Sequence, residues 1–271
     1  MKKYIRLLSL LLIFLISFSL VPISKEVTFA KSEKTPMLAI IIDDFGGYDQ
    51  SGVETMLSID APLTCAVIPH VDNTENNTKR ALESGKEVIV HMPMQANVTL
   101  PLEWYGKEYI SNIDNKQQVY DKLDRAFESV KGASGFNIHI GSGVCQYPAV
   151  VNNIYQYSID NNLYFLDSRT HINTVCDKVA KEKNVVYLGR DDFLEPMGAR
   201  SYELAKHYLM MSARLAKERG FAIVIGHVGS HGGETTAKAI KDSISEIKAL
   251  GVDIVPLSKL YNRLNYLHNN K

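Results

Sequence analysis

Eight short apolar runs recur along this chain, each stopping at polar residues, with helix-length stretches between most of them. Met37–Ile42 (MLAIII) is apolar without alternation, which suits a strand covered on both faces, as in a parallel sheet. Comparable runs lie at Leu63–Ile68, Glu87–Val90, Phe136–Ile140, Leu163–Leu166, Val185–Leu188, Ala222–Ile225 and Val252–Val255. Between them, Val53–Ile59 is short, whereas Asn73–Ser84, Lys116–Val130, Ala149–Asn161, Asn173–Lys183, Tyr202–Arg219 and Thr235–Leu250 read as amphipathic helices. Several end in stop signals, among them Ser84-Gly85-Lys86, Lys131-Gly132, Arg219-Gly220 and Leu250-Gly251. Such an alternation without a repeated motif predicts an α/β fold, either a TIM-type barrel or an open doubly wound sheet. No Gly-x-Gly-x-x-Gly turn follows the first run, which argues against a dinucleotide binder.

The first thirty residues stand outside this rhythm. Lys2, Lys3 and Arg6 precede an uncharged run, Leu7–Val21, and Thr28-Phe29-Ala30 precedes Lys31. A basic head, an apolar middle and a small residue describe a secretory signal peptide cleaved near Ala30. The competing reading is an uncleaved anchor that tethers the chain to a membrane through residues 5–21. Both place the working part beyond the cytoplasmic membrane, secreted or held at the cell envelope. Residues 31–36 read as a polar linker and 37–271 as one domain. Lys plus Arg and Asp plus Glu number 30 each, a balance that argues against a nucleic-acid partner. Cys65, Cys145 and Cys176 match neither a disulfide framework nor a zinc ribbon and read as small buried hydrophobes.

The polar residues that end the runs are of one kind. The first run stops at Asp43-Asp44-Phe45-Gly46-Gly47 and the third at His91-Met92-Pro93-Met94. The fourth contains His139, the fifth stops at Asp167-Ser168-Arg169-Thr170, and the sixth at Gly189-Arg190-Asp191-Asp192. The seventh stops at Gly226-His227, before a glycine-rich turn that holds His231. Parallel sheets assemble their sites at the carboxyl edge, where successive strands deliver side chains to one rim. Adjacent carboxylates directly after a buried strand are costly unless something cationic meets them. His91 and His139 with one of Asp43 and Asp44 therefore read as a ligand set for zinc or a similar divalent ion, the other Asp facing the water, and His227 as a catalytic histidine. Asp167, Arg169, Arg190 and Asp191 form either a structural ion-pair ring at the barrel mouth or support for the site. A long polar and aromatic loop, Pro93–Asn115, contains the only tryptophan, Trp104, placed to stack on a ligand.

A divalent ion held by one Asp and two His lowers the pKa of bound water and polarises a carbonyl. The second Asp then serves as general base and His227 as the acid that protonates a leaving amine. No Gly-x-Ser-x-Gly elbow and no Cys beside a His at a strand end supports a serine or thiol nucleophile.

The string Ile41-Ile42-Asp43-Asp44-Phe45-Gly46 resembles the opening motif of the polysaccharide deacetylase superfamily, the NodB-like carbohydrate esterases. Glu87–Met94 (EVIVHMPM), Phe136–Ser142 (FNIHIGS), Phe165–Thr170 (FLDSRT), Gly189–Leu194 (GRDDFL) and Ile225–Gly229 (IGHVG) are similar to its divergent branch, in order, from about Met37 to Tyr261. The resemblance implies a distorted (β/α)7 barrel of the polysaccharide deacetylase type. It implies Asp43 as base, Asp44 and His91 as metal ligands and His227 as acid. The implied activity is a metal-dependent hydrolase, with Zn2+ as the expected ion, removing N-acetyl groups from a cell-wall or extracellular polysaccharide such as peptidoglycan. This sequence departs from the pattern at Gln95, where the superfamily has a second His and the branch often an acid. Gln95 is then a substrate-binding or supporting residue, and His139 takes the ligand's place. Ile138 and Val228 stand where the branch commonly has Asn and Pro. Two other readings follow: a barrel that binds glycan without turnover, motivated by Gln95, and a metal-free glycosidase pairing Asp43 with Asp167 or Asp191, which needs carboxyls roughly 5 to 10 Å apart.

Overall fold

The computed structural model describes residues 35–270. The leader-like segment and most of the linker lie outside the described residues, and with them the expected cleavage site and tether. Among the described residues no helix is long and apolar enough to cross a membrane.

Nine strands form one sheet: β1 (Met37–Phe45), β2 (Thr64–Val67), β3 (Glu87–Met94), β4 (Gly135–Ile140), β5 (Tyr164–Asp167), β6 (Leu188–Gly189), β7 (Asp192–Phe193), β8 (Phe221–His227) and β9 (Asp253–Ile254). Among the described residues eight α-helices lie between or after them: α1 (Val53–Ser58), α2 (Thr74–Glu83), α3 (Lys116–Ser129), α4 (Pro148–Asp160), α5 (Cys176–Glu182), α6 (Tyr202–Arg219), α7 (Gly233–Ala249) and α8 (Leu257–Asn269). The strand order is β6-β5-β4-β3-β2-β1-β8-β7, with β9 paired to β1, and every pairing is parallel. The sheet curls into an open barrel. Its two end strands, β6 and β7, are joined directly by Arg190 and Asp191. The Arg190 N–H donates to the Asp167 carbonyl at 3.0 Å and the Asp191 N–H to the Ile223 carbonyl at 2.8 Å. The chain itself therefore bridges the seam that strand pairing leaves open.

Two apolar layers explain why the strands are hydrophobic throughout. On β1, Leu38, Ile40 and Ile42 join the core beneath the helices, while Met37, Ala39 and Ile41 face the barrel interior. Side chains alternate across a strand, so both faces of β1 are buried and neither carries polar residues until the strand ends. The same parity holds on β3, where Val88, Val90 and Met92 pack outward and Ile89 inward, and on β8, where Ala222 and Val224 pack outward and Ile223 and Ile225 inward. Each fully buried side chain of this size contributes about 1.5–3 kcal/mol through removal from water.

The helices follow the predicted stretches to within a few residues. The terminal strands are shorter than their apolar runs, and β7 is an addition. The stretch after Val255 forms α8, which the sequence reading left unassigned. Its Leu257 and Leu260 belong to the interior cluster, with Tyr261 and Leu264 against it. The helix start is fixed by the Glu87 carboxylate, which accepts from the Ser258 N–H at 3.2 Å and from Thr64 Oγ1 at 2.7 Å. An anion at a helix N-terminus satisfies its free N–H groups. All three cysteines are buried and unbridged, as small hydrophobes should be.

Candidate metal centre

Inner-face parity carries four of the expected residues to one place. Asp43 continues Met37, Ala39 and Ile41; His91 continues Ile89; His139 lies two residues beyond Asn137; and His227 continues Ile223 and Ile225. Register aligns them further, since Asp43 pairs with His227 across β1 and β8, and His91 with Asn137 across β3 and β4. Asp44 has the opposite parity and on a regular strand would turn into the helical layer. Its φ of 70° puts an irregularity into β1, where the register with β2 shifts between Ile42 and Phe45, and turns the carboxylate to the inner face. This left-handed conformation is strained for a residue with a Cβ and persists only where the surroundings hold it.

The outcome is a triangle of lone-pair atoms. Asp44 Oδ1 lies 3.3 Å from His91 Nε2 and 3.3 Å from His139 Nδ1, and the two nitrogens are 3.1 Å apart. A tetrahedral ion with bonds of about 2.0–2.1 Å spaces its ligands by about 3.3 Å. Both imidazoles are committed on their far side. His91 Nδ1–H donates to Asn137 Oδ1 at 2.7 Å, and His139 Nε2–H to the Trp104 carbonyl at 3.0 Å. These bonds direct the unprotonated nitrogens at the shared point, as metal-ligating histidines require. The donor set fits a divalent ion.

Electrostatics separate the two carboxylates. Burial raises the Asp43 pKa, and His91, His227 and a 2.8 Å hydrogen bond from Asn137 Nδ2 only partly offset it. Asp44 is also buried, but its contacts with the imidazoles of His139, His231 and His91 outweigh burial and hold it well below the usual carboxylate range. Two neighbouring acids with pKa values driven apart suit a proton acceptor and an anionic ligand respectively. For His91, burial works against the proton, and the Asp43 and Asp44 charges more than reverse it.

His227 has its own partner. Glu195 Oε2 accepts from His227 Nδ1 at 2.8 Å, and Glu195 Oε1 from the His227 backbone N–H at 3.1 Å. Burial disfavours the imidazolium, but the Glu195 hydrogen bond and nearby carboxylates raise the pKa to about 9. The group is therefore an imidazolium at neutral pH.

Asp43, Asp44, His91, His139 and His227 line a cleft of about 1270 Å³ that also meets Tyr48, His70, Trp104, Ser168, Thr170 and Phe193. Trp104 and Tyr48 are exposed at its mouth, 58% and 98% respectively. The other expected site residues lie elsewhere. Gln95 accepts from Ser111 Oγ at 2.8 Å and from the Asn112 N–H at 3.1 Å, tying the long loop to β3. Asp167 has outward parity and holds Thr174 and Tyr187 through one oxygen, at 2.9 and 3.0 Å. Asp191 pairs with Arg219 and the Ile223 N–H. Arg169 donates to Tyr187 and to the Arg190 carbonyl, while the Arg190 guanidinium sits 3.5 Å over the Phe193 ring and donates to the Ser168 carbonyl. None of these five lines the cleft.

A model of the family described as divergent polysaccharide deacetylase matches residues 40–261. The chain belongs to that family. A Haemophilus influenzae protein is 31% identical over 205 residues, 74% of this chain and 68% of the relative. Among solved structures, ATU2773 from Agrobacterium tumefaciens superposes with a TM-score of 0.74 at 18% identity, covering 84% of this chain and 89% of that one. BA3943 from Bacillus anthracis, described as a CE4 family pseudoenzyme, superposes with a TM-score of 0.53 at 13% identity, covering 84% and 66%. These likenesses establish the curled barrel, which agrees with the deacetylase-type fold expected from the motifs.

Two residues beside the candidate site, Asn137 and Glu195, escaped the sequence reading, and a third, His231, entered it only as part of the glycine-rich turn. Asn137 shares the inner parity of His139, and that signal was available. Glu195 has no local signature: it lies two residues beyond the Phe193–Ile225 rung and so reaches His227 only through the β7–β8 pairing. His231 Nδ1 contacts Asp44 Oδ2 at 3.1 Å, a contact formed by the fold of its loop.

Proposed function

We propose that the protein is an extracytoplasmic, metal-dependent hydrolase that removes N-acetyl groups from an envelope or extracellular glycan. The observation that carries this reading is the Asp44–His91–His139 triangle, with Asp43 and the His227–Glu195 pair on the same rim. Asp44, His91 and His139 would hold the ion, with Zn2+ the best match to two imidazoles and one carboxylate. When bound, a divalent ion supplies Lewis acidity toward water and an amide carbonyl. The rest is the work of side chains. Asp43, its pKa raised by burial, accepts the proton that water loses as its oxygen bonds to the acetyl carbon. His227, kept protonated by Glu195, delivers its proton to the departing nitrogen as the C–N bond breaks, leaving acetate and a free amine. Trp104 and Tyr48 at the mouth offer flat apolar faces to sugar rings.

A second reading draws support from Gln95 and from the fold likeness to a pseudoenzyme: a glycan-binding groove without turnover. The metal-free glycosidase finds less, because Asp167 and Asp191 do not line the cleft and offer no partner to Asp43. Acetate release from N-acetylated chito-oligosaccharides and peptidoglycan, measured with and without EDTA beside the bound metal per chain, separates these. Release abolished by chelator and restored by Zn2+ is the expected result. Metal and glycan binding without acetate would leave the second reading, and cleaved glycosidic bonds insensitive to EDTA would sink both.

A further inference from the structure

The two oxygens of Asp44 have different partners. Oδ1 faces both ligand imidazoles at 3.3 Å, whereas Oδ2 lies 3.1 Å from His231 Nδ1. His231 is 60% exposed, and its ring meets the His227 ring with centroids 5.5 Å apart. What positions it is the backbone of the loop between β8 and α7. Gly229, at φ 67°, donates its N–H to the Ser51 carbonyl at 2.8 Å, and a Cβ there would stand 2.7 Å from the Asp49 carbonyl oxygen. At Gly232 a Cβ would stand 2.4 Å from both Glu195 Oε1 and the His227 carbonyl oxygen. The loop thus lies tightly between the β1–α1 loop and the His227–Glu195 pair. An exposed side chain on a clamped backbone keeps its place.

We propose that His231 is a positioning residue of the metal centre. Its Nδ1–H occupies Asp44 Oδ2, so the carboxylate presents Oδ1 alone and takes one coordination position of an ion. A carboxylate free to turn would offer both oxygens and close a position that a catalytic ion keeps for water or substrate. Partners of this kind, behind the ligands, tune affinity by about 10- to 100-fold. The inference rests on the reading that Asp44, His91 and His139 bind a divalent ion.

The test is a Co2+ titration of the purified full-length protein, comparing wild type, His231→Ala and His231→Asn, with the visible absorption of the ion reporting coordination. Asparagine places its amide nitrogen where histidine has Nδ1 and keeps the donor. His231→Ala is expected to bind Co2+ about 10- to 100-fold more weakly, with a fainter spectrum as Oδ2 joins. His231→Asn is expected to recover most of the affinity and the wild-type spectrum. The unfolding midpoint in chelator should be the same for all three, because the side chain is exposed. An alanine variant with wild-type affinity and spectrum overturns the inference, as does an asparagine variant no better than alanine. A fall in the metal-free midpoint of His231→Ala also overturns it, by making the loss structural. A wild type that binds no Co2+ removes the metal centre itself, a failure distinct from the others.

Discussion

Asn137 joins His91 to Asp43. Its carbonyl oxygen accepts from His91 Nδ1 at 2.7 Å while its amide donates to Asp43 Oδ1 at 2.8 Å. One fully buried amide therefore sets the tautomer of the proposed ligand His91 and the orientation of the proposed base Asp43. Replacing Asn137 with Ala leaves a buried donor and a buried acceptor without partners, at about 1–3 kcal/mol each. For a domain of this size each kcal/mol lowers Tm by about 2–4 °C. Calorimetry in chelator is expected to show that fall, and a Co2+ titration a loss of ion affinity. An unchanged midpoint would show that the amide is not doing this work.

Glu195 controls the protonation of His227, and the sign follows from the raised pKa. The folded value of about 9 lies above the ordinary 6.5. The pairing therefore stabilises the fold fully below pH 6.5 and is lost as pH rises to 9, with an upper bound of about 3 kcal/mol. Wild type should lose stability across that window, and Glu195→Gln should lose much less. In the pH profile of kcat/KM, the alkaline limb near 9 should move toward 6.5 in Glu195→Gln. A limb that stays in place would mean that another group supplies the proton.

Asp43 is 2% exposed and touches no ligand nitrogen closer than His91 Nε2 at 3.6 Å. Asp43→Asn keeps the shape and removes the proton acceptor. A fall in kcat of roughly 10²- to 10⁴-fold is expected, with metal content per chain unchanged by elemental analysis. Full activity in this variant would remove Asp43 from the chemistry.

Trp104 serves the site twice, through separate atoms. Its carbonyl accepts from His139, while its indole stands exposed at the cleft mouth. Trp104→Ala keeps the first and deletes the second. KM for chito-oligosaccharides should rise roughly tenfold, equivalent to about 1.4 kcal/mol of lost contact, with kcat and Co2+ affinity held. An unaltered KM would show that sugars do not stack there.

How much of this was legible beforehand differs from residue to residue. His91 and His227 end apolar runs whose inner parity they continue, so their convergence follows from strand geometry alone. Asp191 also ends a run, but the seam between β6 and β7 turns it toward Arg219, and no property of the run foretold where the barrel opens. Asp167 sits one residue off the inner parity, and a shift of one residue puts a side chain on the other face. Gln95 stands where the motif places a site residue, yet its amide is spent on the Ser111–Asn112 turn.

Uninterrupted apolar runs, the spacing of helices between them and the polar residues at their ends determined a parallel α/β sheet and the carboxyl edge where its site lies, and the motif resemblance chose the barrel over the open sheet. That information is local, because a strand buried on both faces has no freedom to carry polar groups until it ends. The tertiary structure decided which side chains meet: the left-handed turn at Asp44, the Asn137 bridge, the Glu195–His227 pair and His231 behind Asp44. Each depends on strand register or on a loop clamped by a neighbour. Contacts between residues as far apart as Asp44 and His231 leave no periodicity for a sequence to display.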